Sequence, residues 1–204
     1  MSASTACQCG GEIDPKRRQL LFATSAAGAA AGLVVAVPFV TSFSPSERAR
    51  AAGAPVEVDI SKLAPGEIMT VEWRGKPVWI VNRTPEMLAS LQKVEPKLAD
   101  PASARPQQPD YATNEFRSIK PEIFVAIGIC THLGCSPSQK FESGVAQGMS
   151  PDWDGGFFCP CHGSQFDLAG RVLKNMPAPT NLEIPPHRYL AETRLLIGED
   201  KTTV

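Results

Sequence analysis

The chain has 204 residues, with 20 Lys and Arg set against 21 Asp and Glu for a net charge of -1, which allows one good domain plus appendages. That balance exerts no general pull toward nucleic acid, and no basic run with interleaved aromatics appears. The 19 prolines predict a soluble part rich in loops and short strands, not helices.

Residues 1–19 are polar and close on Asp14-Pro15-Lys16-Arg17-Arg18-Gln19. Cys7 and Cys9 form a Cys-x-Cys pair with no His or third Cys beside them, so they read as incidental thiols. Residues 20–43 carry no charge, and at ~1.5 Å rise per residue a helix of that length reaches roughly 36 Å, enough for a bilayer core of about 30 Å. A membrane anchor is expected. The competing reading is a cleaved signal, because Arg17-Arg18 resembles a twin-arginine export signal and Ala49-Arg50-Ala51 or Ala52-Gly53-Ala54 would pass for a small-residue cleavage site. An uncharged run longer than the ~7 to 15 residues of a signal core favours retention. If Arg17-Arg18 acts as such an export signal, residues 1–19 are expected to stay cytoplasmic and residues 57–204 to reach the periplasm, as in a single-pass protein of the bacterial inner membrane. Gly28 and Gly32 form a G-x-x-x-G that either packs on another helix or merely keeps the segment mildly hydrophobic. Pro38 is expected to kink the helix without breaking it. Residues 44–56 are small and lack a hydrophobic stripe, as in a solvated hinge linker.

The soluble domain begins near residue 57. Residues 56–60, 67–74 and 77–82 read as short strands separated by turns at Pro65-Gly66 and Gly75-Lys76-Pro77. Thr84-Pro85-Glu86 reads as an N-cap with proline in the first turn of a short amphipathic helix reaching about Lys93. Residues 95–121, proline-rich and poor in apolar side chains, are expected to form a long surface loop. The apolar run 123–129 reads as a buried strand that delivers Cys130. Residues 141–153 read as connection and Asp154-Gly155-Gly156 as a tight turn. Residues 165–168, 171–173, 187–191 and 193–197 supply further strands, the last two as a hairpin. The domain is expected to be all-β and antiparallel. His187, alone in its strand after Pro185-Pro186, reads as a packing or surface residue, not a ligand.

Two loops carry the chemistry: Cys130-Thr131-His132-Leu133-Gly134-Cys135 and Cys159-Pro160-Cys161-His162-Gly163-Ser164. Each offers one thiolate and one imidazole at close spacing, plus one more cysteine. The plainest reading is a structural zinc site, since two Cys and two His suit tetrahedral zinc. Taken over their whole length, however, C-T-H-L-G-C followed by C-P-C-H-G-S resembles the signature of the Rieske iron-sulfur proteins. In these a 2Fe-2S cluster has two His in place of two Cys on one iron, which raises its potential.

The resemblance implies that Cys130 and Cys159 ligate the inner iron and that His132 and His162 ligate the outer one. Placing both loops around one centre would bring the remaining thiols, Cys135 and Cys161, near each other, and a disulfide follows where the compartment is oxidising. Ser164 is placed to donate its hydroxyl to a cluster sulfur. Two residues further on, high-potential members of the family carry a tyrosine that bonds a cysteine sulfur; here the position is Phe166, which implies a lower potential. Pro177-Ala178-Pro179 matches the family's proline loop covering the cluster, although Met176 stands where Gly is common. Leu133 corresponds to an apolar contact with the quinol-binding partner.

Export-type N-terminus, anchor, neck and Rieske domain together are similar to the iron-sulfur subunits of bacterial ubiquinol-cytochrome c reductases. The resemblance implies an antiparallel Rieske-type sandwich with a small cluster-binding subdomain, b-type and c-type cytochrome partners in a dimeric complex, and ubiquinol as substrate. His162 is favoured over His132 as the residue that meets it. A soluble Rieske ferredoxin would lack the extra cysteine pair and the anchor. The exported Rieske subunit of a molybdenum oxidase would not need the neck, and a membrane-tethered zinc module would have no redox role.

Overall fold

In the computed structural model residues 14–47 and 53–200 are described, so the Cys7 and Cys9 pair and the cleavage-like Ala49-Arg50-Ala51 lie outside the described residues. The chain divides into two compact units, with the boundary between residues 49 and 50. The first contains helix α1, Pro15–Ser42. Asp14 caps it by accepting the Lys16 N–H at 2.9 Å, and Pro15 fills the first helical position. The helix therefore starts ahead of the uncharged run, with Arg17 and Arg18 inside it. Its apolar side chains lie exposed on every side, and it is long and apolar enough to cross a membrane, a pattern that suits lipid better than water. The helix continues through Pro38, and just beyond it the Thr41 and Ser42 hydroxyls donate to the carbonyls of Pro38 and Phe39.

The second unit holds three antiparallel sheets of three strands each. β1 (Val56–Asp59) pairs with β9 (Arg194–Ile197), which pairs with β8 (His187–Ala191) as a hairpin. β2 (Ile68–Trp73), β3 (Lys76–Asn82) and β4 (Ile123–Ile127) form the central sheet. β5 (Ser138–Lys140), β6 (Gly156–Phe158) and β7 (Gln165–Phe166) form the third.

The central sheet is covered on both faces. Val78, Ile80, Val125 and Ile127 pack with Val58, Leu195 and Ile197 of the first sheet, while Trp79, Val81, Phe124 and Ala126 turn the other way, toward Phe157, Phe166, Cys130 and Cys159. A strand buried on both faces has no polar side to alternate with, which explains why β4 is apolar and buried at every position. Trp79 stacks on Phe157 with ring centroids 4.9 Å apart, a pair worth ~1 kcal/mol beyond area, and this ties the base to the third sheet.

Helix α2, Pro85–Val94, starts at Thr84, whose hydroxyl accepts the Met87 N–H. It buries Leu91 and Val94 and packs against Leu168 and Ala169. The expected strand at 171–173 is reduced to isolated bridges, Phe166 with Val172 and Leu98 with Leu173. β5 and β6 were not expected as strands.

Residues 95–121 depart from the expected surface loop: Leu98, Ser103, Ala112, Arg117 and Ser118 are buried. Composition misleads here because the buried charge is met by backbone. Arg117 donates to the carbonyls of Ala169, Gly170 and Leu182, and Arg83 to those of Phe116, Pro121 and Leu168. Burial lowers Arg83 to about 9 and Arg117 to about 10, with Asp167 opposing the shift in each case, so both remain cationic at neutral pH. Arg171 pairs with buried Asp167 at 2.7 Å.

His187 is buried, as a packing residue would be; its Nδ1 donates to the Pro185 carbonyl at 2.8 Å and its backbone N–H to the Tyr111 hydroxyl at 2.8 Å. Burial lowers its pKa from 6.5, against the raising effects of the Pro185 bond and Asp200. The unfolded chain thus binds more protons here than the folded one just below pH 6.5. Stability from this group is complete above that value and is lost as pH falls through the lower folded value. His187→Gln is expected to flatten the fall of the thermal midpoint between about pH 5 and the neutral range, measured by melting curves of both proteins across that interval.

Candidate metal centre

The two motif loops share one backbone design. In the first, the Cys130 N–H donates to the Cys135 carbonyl at 2.7 Å and the Gly134 N–H returns to the Cys130 carbonyl at 3.1 Å. In the second, Cys159 N–H bonds the Ser164 carbonyl at 2.8 Å and Gly163 N–H the Cys159 carbonyl at 2.9 Å. Each six-residue loop is closed on itself by a reciprocal pair. The closure needs a left-handed residue at its fifth position, supplied by Gly134 at φ 84° and Gly163 at φ 77°, a conformation that glycine adopts without steric cost.

Each loop follows a strand or leads back into one. β4 and the two residues after it deliver Cys130, β6 delivers Cys159, and β7 begins directly after Ser164. Cys130 and Cys159 end up in the core between the central and third sheets, each 2 % exposed. The His132 and His162 rings meet edge to face, their centroids 4.7 Å apart. Among the four, His162 is exposed, His132 half-buried, and both cysteines unbridged.

Cys135 and Cys161 are joined as a disulfide, with Cα atoms 6.7 Å apart. The sulfurs of Cys135, Cys159 and Cys161 all lie within 4.8 Å of one another. That trio is no three-thiolate metal site, because two of its sulfurs are spent on each other. The bridge instead fastens the tips of the loops beside the free thiols.

The electrostatics of the thiols ask for a cation. Burial pushes the Cys130 thiol up, the His132 N–H pulls it down, neighbouring Cys159 pushes it up again, and the Ser164 hydroxyl pulls it down. Metal coordination supplies the positive charge that offsets this burial and holds the thiolate form. His132 Nδ1 is buried with no hydrogen-bond partner. A buried ring nitrogen left unpaired costs about 1–3 kcal/mol, and ligation would satisfy it. Two soft sulfurs and two imidazole nitrogens fit a 2Fe-2S cluster of the mixed His/Cys type.

The remaining predicted residues surround this group. Ser164 is fully buried, and its Oγ accepts the Ala178 N–H at 3.0 Å. Pro177 and Pro179 lie exposed on either side of buried Ala178, so the proline loop reaches the site from a third direction. Leu133 is 72 % exposed at the tip of the first loop. Phe166 is fully buried in the same core as both free cysteines. Thr131 was not singled out from the sequence, yet its hydroxyl donates to the Thr180 carbonyl at 2.7 Å and ties the first loop to the proline loop. Its place between two candidate ligands was the only available signal.

Comparison with known proteins gives three concordant findings. The Rieske [2Fe-2S] domain model matches residues 104–186. The ubiquinol-cytochrome c reductase iron-sulfur subunit of Allochromatium vinosum is 63% identical over 186 residues, covering 91% of this chain and 89% of that protein. The proteins of the same name from Blastochloris viridis and Bradyrhizobium diazoefficiens are 44% and 42% identical, over 89% and 90% of this chain and 92% and 95% of theirs.

The bridge closes a chain segment of 26 residues, for which loop entropy gives roughly 3 kcal/mol. Cys135→Ser combined with Cys161→Ser is expected to lose about that much stability in denaturant unfolding. The metal content per chain should fall with it, because the loop tips are no longer fastened.

Proposed function

This chain belongs to the family of iron-sulfur subunits of ubiquinol-cytochrome c reductase and carries one Rieske 2Fe-2S cluster, and on that premise we propose that Cys130, His132, Cys159 and His162 hold the cluster to take electrons from ubiquinol and pass them to a c-type cytochrome. The observation that carries the ligand assignment is the convergence of two buried free thiols with two edge-to-face imidazoles, one presenting an unpartnered buried nitrogen.

When bound, the cluster supplies a one-electron acceptor whose potential imidazole ligation raises. Cys130 and Cys159 would hold one iron of the cluster, and their burial would keep water from it. His132 and His162 each hold the outer iron by one ring nitrogen, for His132 the buried Nδ1. In its deprotonated, imidazolate form the second ring nitrogen of His162, on an exposed side chain, would accept a hydrogen bond from the quinol hydroxyl and then hold the proton that leaves it. Leu133, apolar and outward, supplies the contact with the b-type cytochrome that presents the quinol. Ser164 directs its hydroxyl to the Cys130 sulfur, where it steadies added negative charge.

The rest of the chain serves delivery. α1 anchors the protein in the bacterial inner membrane, with residues 57–204 in the periplasm and residues 1–19, including the twin-arginine pair, in the cytoplasm. The reading is supported by the length and apolar character of α1. Residues 44–56, small and without a hydrophobic stripe, tether the domain so that it travels between the b-type and c-type cytochromes of a dimeric, proton-translocating complex.

Iron analysis and the reduced-state EPR spectrum test the ligand set. Wild type should bind two irons with a Rieske-type signal, and His162→Cys should shift that signal and lower the potential; a colourless, EPR-silent protein with one zinc overturns the reading. Phe166→Tyr adds a hydroxyl next to the thiols. If it bonds a cysteine sulfur for ~1 kcal/mol, redox titration should show a rise on the order of 40 mV, and no rise counts against the role given to position 166.

A further inference from the structure

Residues 95–121 have no part in the chemistry above, yet they grip the proline loop on both flanks. Before the loop, the Ala99 N–H donates to the Val172 carbonyl at 3.0 Å and the Lys174 N–H to the Lys97 carbonyl at 2.8 Å. After it, the Ile184 N–H donates to the Gln107 carbonyl at 2.8 Å, and Arg117 Nη2 to the Leu182 carbonyl at 2.7 Å. Asn181 joins the two flanks. Its Oδ1 accepts the Val172 N–H at 2.9 Å, and its Nδ2 donates to the Asp100 carbonyl and the Ser103 hydroxyl.

Between the flanks a single side chain of this segment touches the loop itself among the described hydrogen bonds: exposed Arg105 donates from Nη1 to the Pro179 carbonyl at 2.5 Å. Pro179 follows Ala178, whose N–H occupies the Ser164 Oγ. A hydroxyl has one proton. The Ala178 N–H takes one of the two lone pairs of Ser164 Oγ and orients that hydroxyl, and the Cys130 sulfur stands within reach of its proton.

We propose that residues 97–117 are a clamp that fixes the proline loop over the metal centre. Arg105 is its positioning residue, holding the Ala178 N–H on Ser164 and thereby the Ser164 proton on the Cys130 sulfur. The inference rests on the Rieske reading of the four ligands. It gives a purpose to a segment whose composition alone suggested a solvated loop.

The test uses the full-length membrane-bound protein as wild type, Arg105→Ala and Arg105→Lys, with two readouts. The first is backbone hydrogen exchange at Ala178, and the second is the midpoint potential from an EPR-monitored redox titration. Because Arg105 is exposed, its loss should lower the melting midpoint by no more than a few degrees and leave the protein folded. Arg105→Ala is expected to speed exchange at Ala178 about tenfold, the worth of one charge-assisted bond, and to lower the potential. Arg105→Lys, which keeps a cationic donor, should restore both. Unchanged exchange in Arg105→Ala overturns the clamp whether or not iron is present. Faster exchange with an unchanged potential overturns the link through Ser164. A wild type without a reduced-state EPR signal defeats the ligand reading, and with it the link to Cys130, while the exchange experiment still decides the clamp.

Discussion

The structure depends on the closure of two short loops by reciprocal backbone bonds. Six residues cannot turn back on themselves and satisfy their own N–H and C=O groups without one left-handed residue, and Gly134 and Gly163 take that place in the two loops. Once closed, each loop holds its first cysteine in the core and projects its middle residues outward. The two loops then differ only in what they project. The first places His132 two residues after its cysteine and keeps Cys135 for its last position. The second places Cys161 two residues after its cysteine and His162 next. The same backbone therefore offers a ligand where its partner offers half of the bridge, so two similar loops can face each other with a disulfide on one side and a pair of imidazoles on the other.

Such a site needs a rigid floor, and the floor is unusually charged. Arg83, Arg117 and Arg171 are buried, with Asp167 as the one buried carboxylate among the described residues. Desolvating a guanidinium is expensive unless its donors are met. Here they are met largely by carbonyls of residues 168–170, 116, 121 and 182. Those carbonyls lie outside the strands, in turns and irregular chain. Each arginine thus satisfies several irregular backbone groups at once, as a planar fork with five donors can and a lysine cannot. Irregular chain on both sides of the proline loop is made as fixed as a sheet without being one.

This also separates what was legible in the sequence from what was not. The strand at 123–127 was legible because both of its faces are buried and its apolar run is continuous. The helix after Thr84 was legible because capping and proline placement are local rules. Both motif loops were legible because each sets a Cys and a His at close spacing and the two together, over their whole length, resemble the Rieske signature. The strands β5 and β6 were not, since Ser138–Lys140 shows no alternation and exists as a strand only by pairing with Gly156–Phe158. Residues 95–121 were misread because burial there is decided by partners far away in the chain. Nothing local to Arg117 announces that carbonyls at 169, 170 and 182 will surround it.

The two imidazoles, equivalent by motif, are not equivalent by position. His132 sits half-buried, its Nδ1 enclosed, in a loop tied through Thr131 to the proline loop. His162 sits exposed, beside exposed Cys161 and Pro160, on a loop that is itself tied to the proline loop through the bond from the Ala178 N–H to Ser164 Oγ. A partner approaching His162 meets an exposed side chain, whereas one approaching His132 meets a half-buried ring whose Nδ1 is enclosed. The difference favours His162 as the side chain that meets an incoming hydroxyl. It also leaves His132 the more enclosed of the two imidazoles, in keeping with the proposal that His162 is the one that meets the substrate.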